Sequence, residues 1–176
     1  MILKFIIAIY SISFISAYSI ERRMGDVFQV ALPLTAIGST YYMEDKAGMK
    51  SFFQSYVVTA GTTYLLKVIT KKQRPDGSNY MSFPSGHTSA AFSGASFIHF
   101  RYGFKYGAPL YILAAFTGYS RVHANKHYVE DVIAGAGLAI LSSYYFTSPY
   151  SKKDYSVAIN YSAPNKLVQL SIYKQF

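Results

Sequence analysis

Five long stretches almost free of charge dominate this chain: Val27 to Met43, Ser51 to Leu66, Thr88 to Phe100, Ala108 to Tyr119 and Val132 to Phe146. None alternates apolar and polar residues with a period of two, and most run 12 residues or longer. Strands are shorter than this and half-buried ones alternate, so the stretches predict helices. Pro33 falls near the middle of the first. Polar breaks separate them: "MEDKAGMK", a loop from Gly77 to Tyr80, and "RYGFKYG", read as a turn with its two glycines. Gly61, Gly94, Gly135 and Gly137 lie inside the helical stretches. A mid-helix glycine costs about 1 kcal/mol against alanine, but small residues let helix backbones approach, and Gly135 with Ala139 has that spacing. The expected fold is all-α, a compact bundle of about five to six helices.

Charged residues make up only 14% of the chain, against roughly 25% in soluble domains. Yet most of the stretches fall short of the roughly 20 apolar residues of a clean membrane span. The bundle is therefore expected to be membrane-associated, partly embedded or resting on the surface. The net charge of +9 favours anionic partners. The basic residues are scattered and no nucleic-acid motif accompanies them, so nucleic acid is not an expected partner. With no cysteine, thiol nucleophiles and zinc-thiolate sites are excluded.

The ends differ from the body. Residues 1–19 hold one lysine and an apolar run from Phe5 to Ala17, which reads as a signal peptide or an uncleaved N-terminal anchor. Residues 20–150 form the helical-bundle domain. The tail, 151–176, alternates: Val157, Ile159 and Tyr161, then "APNK", then Val168, Leu170 and Ile172. That pattern predicts a C-terminal β-hairpin with a proline-asparagine turn.

The chemistry-bearing residues fall at helix ends and loop edges. "KVITKKQRP" holds Lys67, Arg74 and Pro75; "PSGH" runs from Pro84 to His87; "SRVHANKHYVED" holds Ser120, Arg121, His127 and Asp131. Lys67, Arg74 and Arg121 form a candidate trio of cations with no compensating acid cluster. The arginine fork suits phosphate oxygens. Ser85, Gly86 and His87 stand where a helix starts, and free N–H groups with the helix dipole make an anion site there. His127 and Asp131, four apart on an expected helix, would share a face. The carboxylate could then fix the imidazole tautomer and free the other nitrogen to attack.

Lys-x6-Arg-Pro, Pro-Ser-Gly-His and Ser-Arg-x5-His-x3-Asp, in this order from Lys67 to Asp131, resemble the three signature motifs of the type 2 phosphatidic acid phosphatase superfamily. That superfamily also holds bacterial acid phosphatases and vanadium haloperoxidases. The resemblance implies a helical core and a metal-free phosphohistidine mechanism with no cofactor. It implies His127 as nucleophile, Asp131 as its orienting partner and His87 as acid-base. It implies phosphate binding by Lys67, Arg74, Ser85, Gly86 and Arg121; Pro75, Pro84 and Ser120 belong to the motifs without an assigned role. The expected substrate is a phosphorylated lipid at the bacterial cell envelope: phosphatidate, phosphatidylglycerophosphate, an isoprenoid pyrophosphate or lipid A. The expected place is the periplasmic face of the cytoplasmic membrane, or the periplasm. A soluble periplasmic acid phosphatase, a vanadium haloperoxidase and an idle membrane scaffold are the alternatives. The chain is short for six spans.

Other residues have plainer readings. His99 is expected to be structural, Lys71 and Lys72 solvated or against anionic headgroups, and Glu130 a surface charge. His123 and His127 have a metal spacing on a helix, but no third ligand accompanies them, so no metal is expected. Substrate preference is assigned to the bundle groove and to loops such as "MEDKAGMK" and the start of the tail.

Overall fold

In a computed structural model the chain is described over residues 2–151, 155–162 and 167–174, with side chains over 20–151. The helices are α1 (Ile2–Tyr42), α2 (Lys46–Thr70), α3 (Gly86–Tyr102), α4 (Phe104–His123) and α5 (Val129–Phe146). Four of the five uncharged stretches each lie within one of them, and the first overruns α1 by Met43 alone. Two strands follow, β1 (Tyr155–Ser162) and β2 (Leu167–Lys174). The helix α1 continues unbroken through "ERRMGD" and past Pro33.

α3 is the central helix and packs against the other four. Its composition explains the placement: Ala91, Ala95, Ser93 and Ser96 are small enough to be surrounded. Two apolar clusters fill the bundle, one built on Leu32, Ala91, Ala95 and Ala114. The other holds Ala36, Phe52, Phe97 and Ile98, with the Phe52 and Phe97 rings edge-on at 5.2 Å. Some hydroxyls inside this small-residue core pair with one another, as where Ser96 Oγ donates to Ser143 Oγ at 2.8 Å. Gly135 and Ala139 do form the expected close approach. A Cβ on Gly135 would stand 2.6 Å from the Ser85 carbonyl oxygen, and Ala139 is fully buried.

The helices alternate in direction, so successive loops lie at opposite ends. The loops α2–α3 and α4–α5 share one end. The loop α1–α2 and the segment after α5 share the other, where Arg101 clamps them. Its guanidinium grips Asp45 with a fork, Nε to Oδ2 and Nη2 to Oδ1, both 2.6 Å. Asp45 also caps α2 by accepting the Gly48 N–H at 2.9 Å and takes the Tyr102 hydroxyl at 3.0 Å. Arg101 Nη1 donates to the Ser148 carbonyl at 2.7 Å. "MEDKAGMK" thus lies at the α2 N-terminus, with roughly 33 Å of helix, at 1.5 Å per residue, between Asp45 and Lys67. This loop and residues 148–150, which lead into the tail, belong to the clamped end, away from the loops that carry the motifs. "RYGFKYG" is also simpler than expected: Gly103, at φ 108°, alone separates α3 from α4, and Gly107 lies within α4.

The hairpin pairs antiparallel in the register the alternation demands, with Val157 opposite Ile172, Ile159 opposite Leu170 and Tyr161 opposite Val168. The proline-asparagine turn lies outside the described residues. Among the described residues no helix is long and apolar enough to cross a membrane.

Candidate active site

The last turn of α2 begins the site. The Lys67 ammonium donates to the carbonyl oxygens of Pro84 at 2.5 Å and Met81 at 2.8 Å, holding the segment that leads into α3. Lys71, at φ 45°, ends α2 in the left-handed region. Arg74 then closes a tight loop: its N–H donates to the Asn79 carbonyl and its Nε to Asn79 Oδ1, both 2.9 Å. An ion pair between Lys126 and Asp76, with the Asp76 N–H on the Asn125 carbonyl, ties this loop to α4–α5. Pro75 is exposed there, while Pro84 is fully buried under α3.

Ser85 is the N-cap of α3. Its Oγ accepts the Thr88 Oγ1 proton at 3.0 Å and the Thr88 N–H at 3.5 Å, so the hydroxyl belongs to the cap. The Ser85 N–H donates to the Asp131 carbonyl at 2.8 Å, and the Ser89 N–H closes the first turn on the Ser85 carbonyl. The N–H groups of Gly86 and His87 are those the helix end offers to an anion. The close seat of Gly135 on Ser85 holds α5 against this cradle; a side chain there would drive α5 away from it. Just inside, the His87 Nε2 stands 3.0 Å from Asp26 Oδ1 on α1.

Arg121, 3% exposed, ends α4. Its Nη1 donates to Asp26 Oδ1 at 2.7 Å, its Nη2 to the Arg22 carbonyl at 2.5 Å and its Nε to Ser120 Oγ at 3.1 Å. Ser120 in turn donates to the Thr117 carbonyl at 2.8 Å. The Ser120 hydroxyl therefore aims the arginine.

His127 does not stand on α5. It lies in the loop just before Tyr128, the N-cap, while Asp131 is the third helical residue and accepts the Tyr128 N–H at 3.0 Å. The one-face expectation is corrected accordingly: the two residues meet because the chain folds back at a cap. His127 Nδ1 stands 3.7 Å from Asp131 Oδ2. That is beyond hydrogen-bond length, and Nδ1 is a buried nitrogen without a hydrogen-bond partner. Asp131, fully buried, instead accepts from Ser82 Oγ at 2.5 Å and from Lys72 Nζ at 2.7 Å.

The electrostatics show convergence. Arg74 acts on Lys67, His87, Arg121 and His127 alike. Burial, then the charges of Lys67 and Arg74, push His127 down to about 4. Burial, then Arg74, push Lys67 down to about 8. His87 is lowered by burial and by Arg121, with Asp26 opposing. At neutral pH the His127 imidazole is therefore uncharged, a nucleophile's state.

The family model of the PAP2 superfamily matches residues 48–154, which span the whole cradle. The chain belongs to the PAP2 superfamily. It is 34% identical to a lipid A 4'-phosphatase of Helicobacter pylori over 148 residues, 78% of this chain and 74% of that protein. It is also 34% identical to a lipid A 1-phosphatase of Porphyromonas gingivalis, across 76% of this chain and 32% of that protein. The crystal structure of Aquifex aeolicus LpxE shares the fold at a TM-score of 0.54 and 22% identity, covering 72% of this chain and 92% of that one. This PAP2 protein is an enzyme, a phosphoric monoester hydrolase.

The PAP2 motifs omit several residues on which this site depends. Lys72, expected in solvent or against anionic headgroups, instead bridges Asp131 and Glu130, each at 2.7 Å, with Tyr128's ring 4.3 Å beneath. Its neighbour Lys71 takes the exposed position, because the left-handed turn at Lys71 swings the following side chain inward. Asp26 supplies the acid that the three-cation reading lacked, and no local spacing in the sequence marks it. Glu130 is a surface charge as expected, 64% exposed. His99 is held among rings, with Nδ1 3.2 Å from the Tyr111 hydroxyl, and its reading as structural stands. His123 stacks on Tyr119 and stands 3.6 Å from Glu21.

Proposed function

We propose that the protein removes a phosphate from a lipid by a metal-independent, two-step reaction through a phosphohistidine, with lipid A as the preferred substrate class. The observation that carries this reading is His127: buried, uncharged at neutral pH, and ringed by Lys67, Arg74 and Asp131. With Nδ1 turned toward Asp131, Nε2 is the nitrogen that attacks phosphorus. As the P–N bond forms and the bond to the leaving oxygen breaks, His87 gives that oxygen its proton. Water then attacks phosphorus, loses a proton to His87, and the P–N bond breaks. Lys67, Arg74, Arg121 and the first N–H groups of α3 receive the charge on the remaining oxygens.

A cavity of about 240 Å³ between α2 and α3 opens from this cradle and supports a place for the leaving group. Lys67 and Gly86 stand at its phosphate end, and Tyr56, Thr59, Thr63 and Ser93 line it further along. The Thr59 hydroxyl is buried without a partner. The lining is largely apolar with a few hydroxyls, which suits part of a phosphorylated lipid. The two lipid A phosphatase relatives support the same class. The outer helices support a lipid surface: Val30, Leu34, Leu65, Ile112, Ile133 and Leu141 are all more than half exposed. We place the protein at the periplasmic face of the cytoplasmic membrane, with residues 1–19 as its signal or anchor.

Acid hydrolyses the P–N bond of phosphohistidine, so a rapid alkaline quench of enzyme and phosphate-labelled substrate is the test. Wild type should carry label on His127 and His127→Ala should carry none. Label on another residue, or full turnover by the variant, would overturn the mechanism. A panel of lipid A, isoprenoid pyrophosphate, phosphatidate and a small soluble ester reads the substrate class. Preference for any of the last three would refute the lipid A assignment.

A further inference from the structure

One carboxylate meets two of the groups assigned to the reaction. Asp26 Oδ1 stands 3.0 Å from His87 Nε2 and 2.7 Å from Arg121 Nη1. An acid inside an anion cradle repels phosphate, so its presence calls for a compensating role. We propose that Asp26 is a positioning residue for the phosphatase reaction: α1 carries it as a third wall of the site, where it aims the His87 imidazole and the Arg121 fork together. The proposal rests on the assignment of His87 as the proton donor.

The seating of α1 makes the contact a built one. A Cβ on Gly25 would stand 2.1 Å from Ser120 Oγ and 2.8 Å from Arg121 Nη2, so the α1 backbone touches α4 beside Asp26. Arg121 is then held at each nitrogen, by Asp26, by the Arg22 carbonyl and by Ser120. Two of its five N–H groups remain without one of these partners. Without α1, a buried arginine would have to find other partners and would lose that hold.

The charge matters as much as the aim. His87 is faced by Asp26 from α1, by Arg121 from α4 and by Arg74 from the α2–α3 loop. Among the described residues no charged group of α2 or α5 is a leading influence on it. Two cations and burial favour the neutral imidazole, which is too weak an acid to protonate the leaving oxygen. Asp26 is the one group in that set which favours the protonated form. Removing its charge moves the pH at which His87 loses its proton downward, so the alkaline limb of kcat/KM shifts to lower pH.

The test is Asp26→Asn in the full-length protein, assayed in detergent micelles or vesicles across pH 4 to 9. The asparagine keeps the shape and can accept a hydrogen bond, but lacks the charge. The expected result is a loss in kcat of at least tenfold at pH 7, a smaller loss at acid pH, and an alkaline limb displaced downward. Asp26→Glu should recover part of the rate and part of the limb. Gly25→Val, which forces α1 off α4 while keeping the carboxylate, should lower kcat too, with unfolding checked by melting. Three results would overturn the proposal: an unchanged kcat in Asp26→Asn, a loss equal at every pH, or a faster enzyme with a lower KM, which would make Asp26 a competitor of phosphate. Failure of the underlying reading looks different. In that case His87→Ala would retain activity or wild type would form no phosphohistidine, whatever Asp26→Asn does.

Discussion

Replacing Lys72 by methionine should expose how the buried Asp131 is kept ionised. Methionine retains most of the lysine stem over Tyr128 and Phe83 and removes only the charge. Asp131 then loses its 2.7 Å partner while staying fully buried. Removing one partner of a wholly buried ion pair costs about 3–5 kcal/mol. Here the lysine side chain is 29% exposed, and Asp131 keeps Ser82 Oγ and the Tyr128 N–H. The cost expected is therefore about 1–3 kcal/mol. In a chain of this size that lowers the melting temperature by about 2–12 °C. The pH dependence follows in sign. The carboxyl of Asp131 is held below its ordinary value by Lys72, Ser82 and the Tyr128 N–H against its own burial. A carboxylate lowered in the folded state stabilises above its unfolded pKa and ceases to as pH falls through the folded one. Lys72→Met raises that folded value, so acid unfolding should begin at higher pH. Thermal unfolding from pH 3 to 8, with Asp131→Asn and the double variant completing a cycle, measures this. Additive single effects, or a Lys72→Met protein with wild-type melting at every pH, would show that the pair is not the support described.

Two further outcomes follow from the same geometry. The kcat/KM profile of the free enzyme should be bell-shaped and centred on the acid side: it rises as His127 loses its proton near about 4 and falls as His87 loses its own below the ordinary histidine value of 6.5; a plateau extending beyond pH 8 would contradict the two roles. Arg101→Met should lower stability by about 3–5 kcal/mol, since it strands the buried Asp45, yet leave kcat unchanged in the folded fraction; a proportionate loss of kcat with wild-type melting would refute the separation of the two ends.

Much of the bundle was written in composition. Long uncharged stretches with internal small residues can bury themselves only as helices, and Gly135 with Ala139 foretold one close approach. The hairpin was equally plain, because strand alternation fixes which residues face together. The motif residues were legible as helix-end groups, which is what an anion cradle needs. His127 was misplaced by a few residues because spacing of four has two meanings. It marks one face within a helix, but it also fits a residue just outside an N-cap meeting the third helical position. Lys72 and Lys71 are indistinguishable in sequence; only the left-handed residue ending α2 decides which points inward. Asp26 lies 41 positions before Lys67, on another helix, and no local pattern can bring such a residue to a site.

The ends to which the loops belong follow from topology. Helices joined by short loops run antiparallel, so loops of odd and even rank lie at opposite ends. Lys67, Arg74 and His87 at or beside one loop and Arg121 and His127 at or beside the next-but-one already bring the motif residues to a single end. "MEDKAGMK" and the chain after α5 then fall to the other. The structure uses that division. At one end, cations outnumber acids and bonds cross between loops, Ser85 N–H to the Asp131 carbonyl and Lys126 to Asp76, holding an open anion cradle. At the other, Arg101 and Asp45 are matched and closed. Unbalanced positive charge destabilises a bundle unless something else fixes its helices. A neutralised clamp some 33 Å away along α2 can fix them without placing a carboxylate among the phosphate-binding groups. The carboxylates that do stand at the charged end are each tied to a cation: Asp26 to Arg121, Asp131 and Glu130 to Lys72, and Asp76 to Lys126.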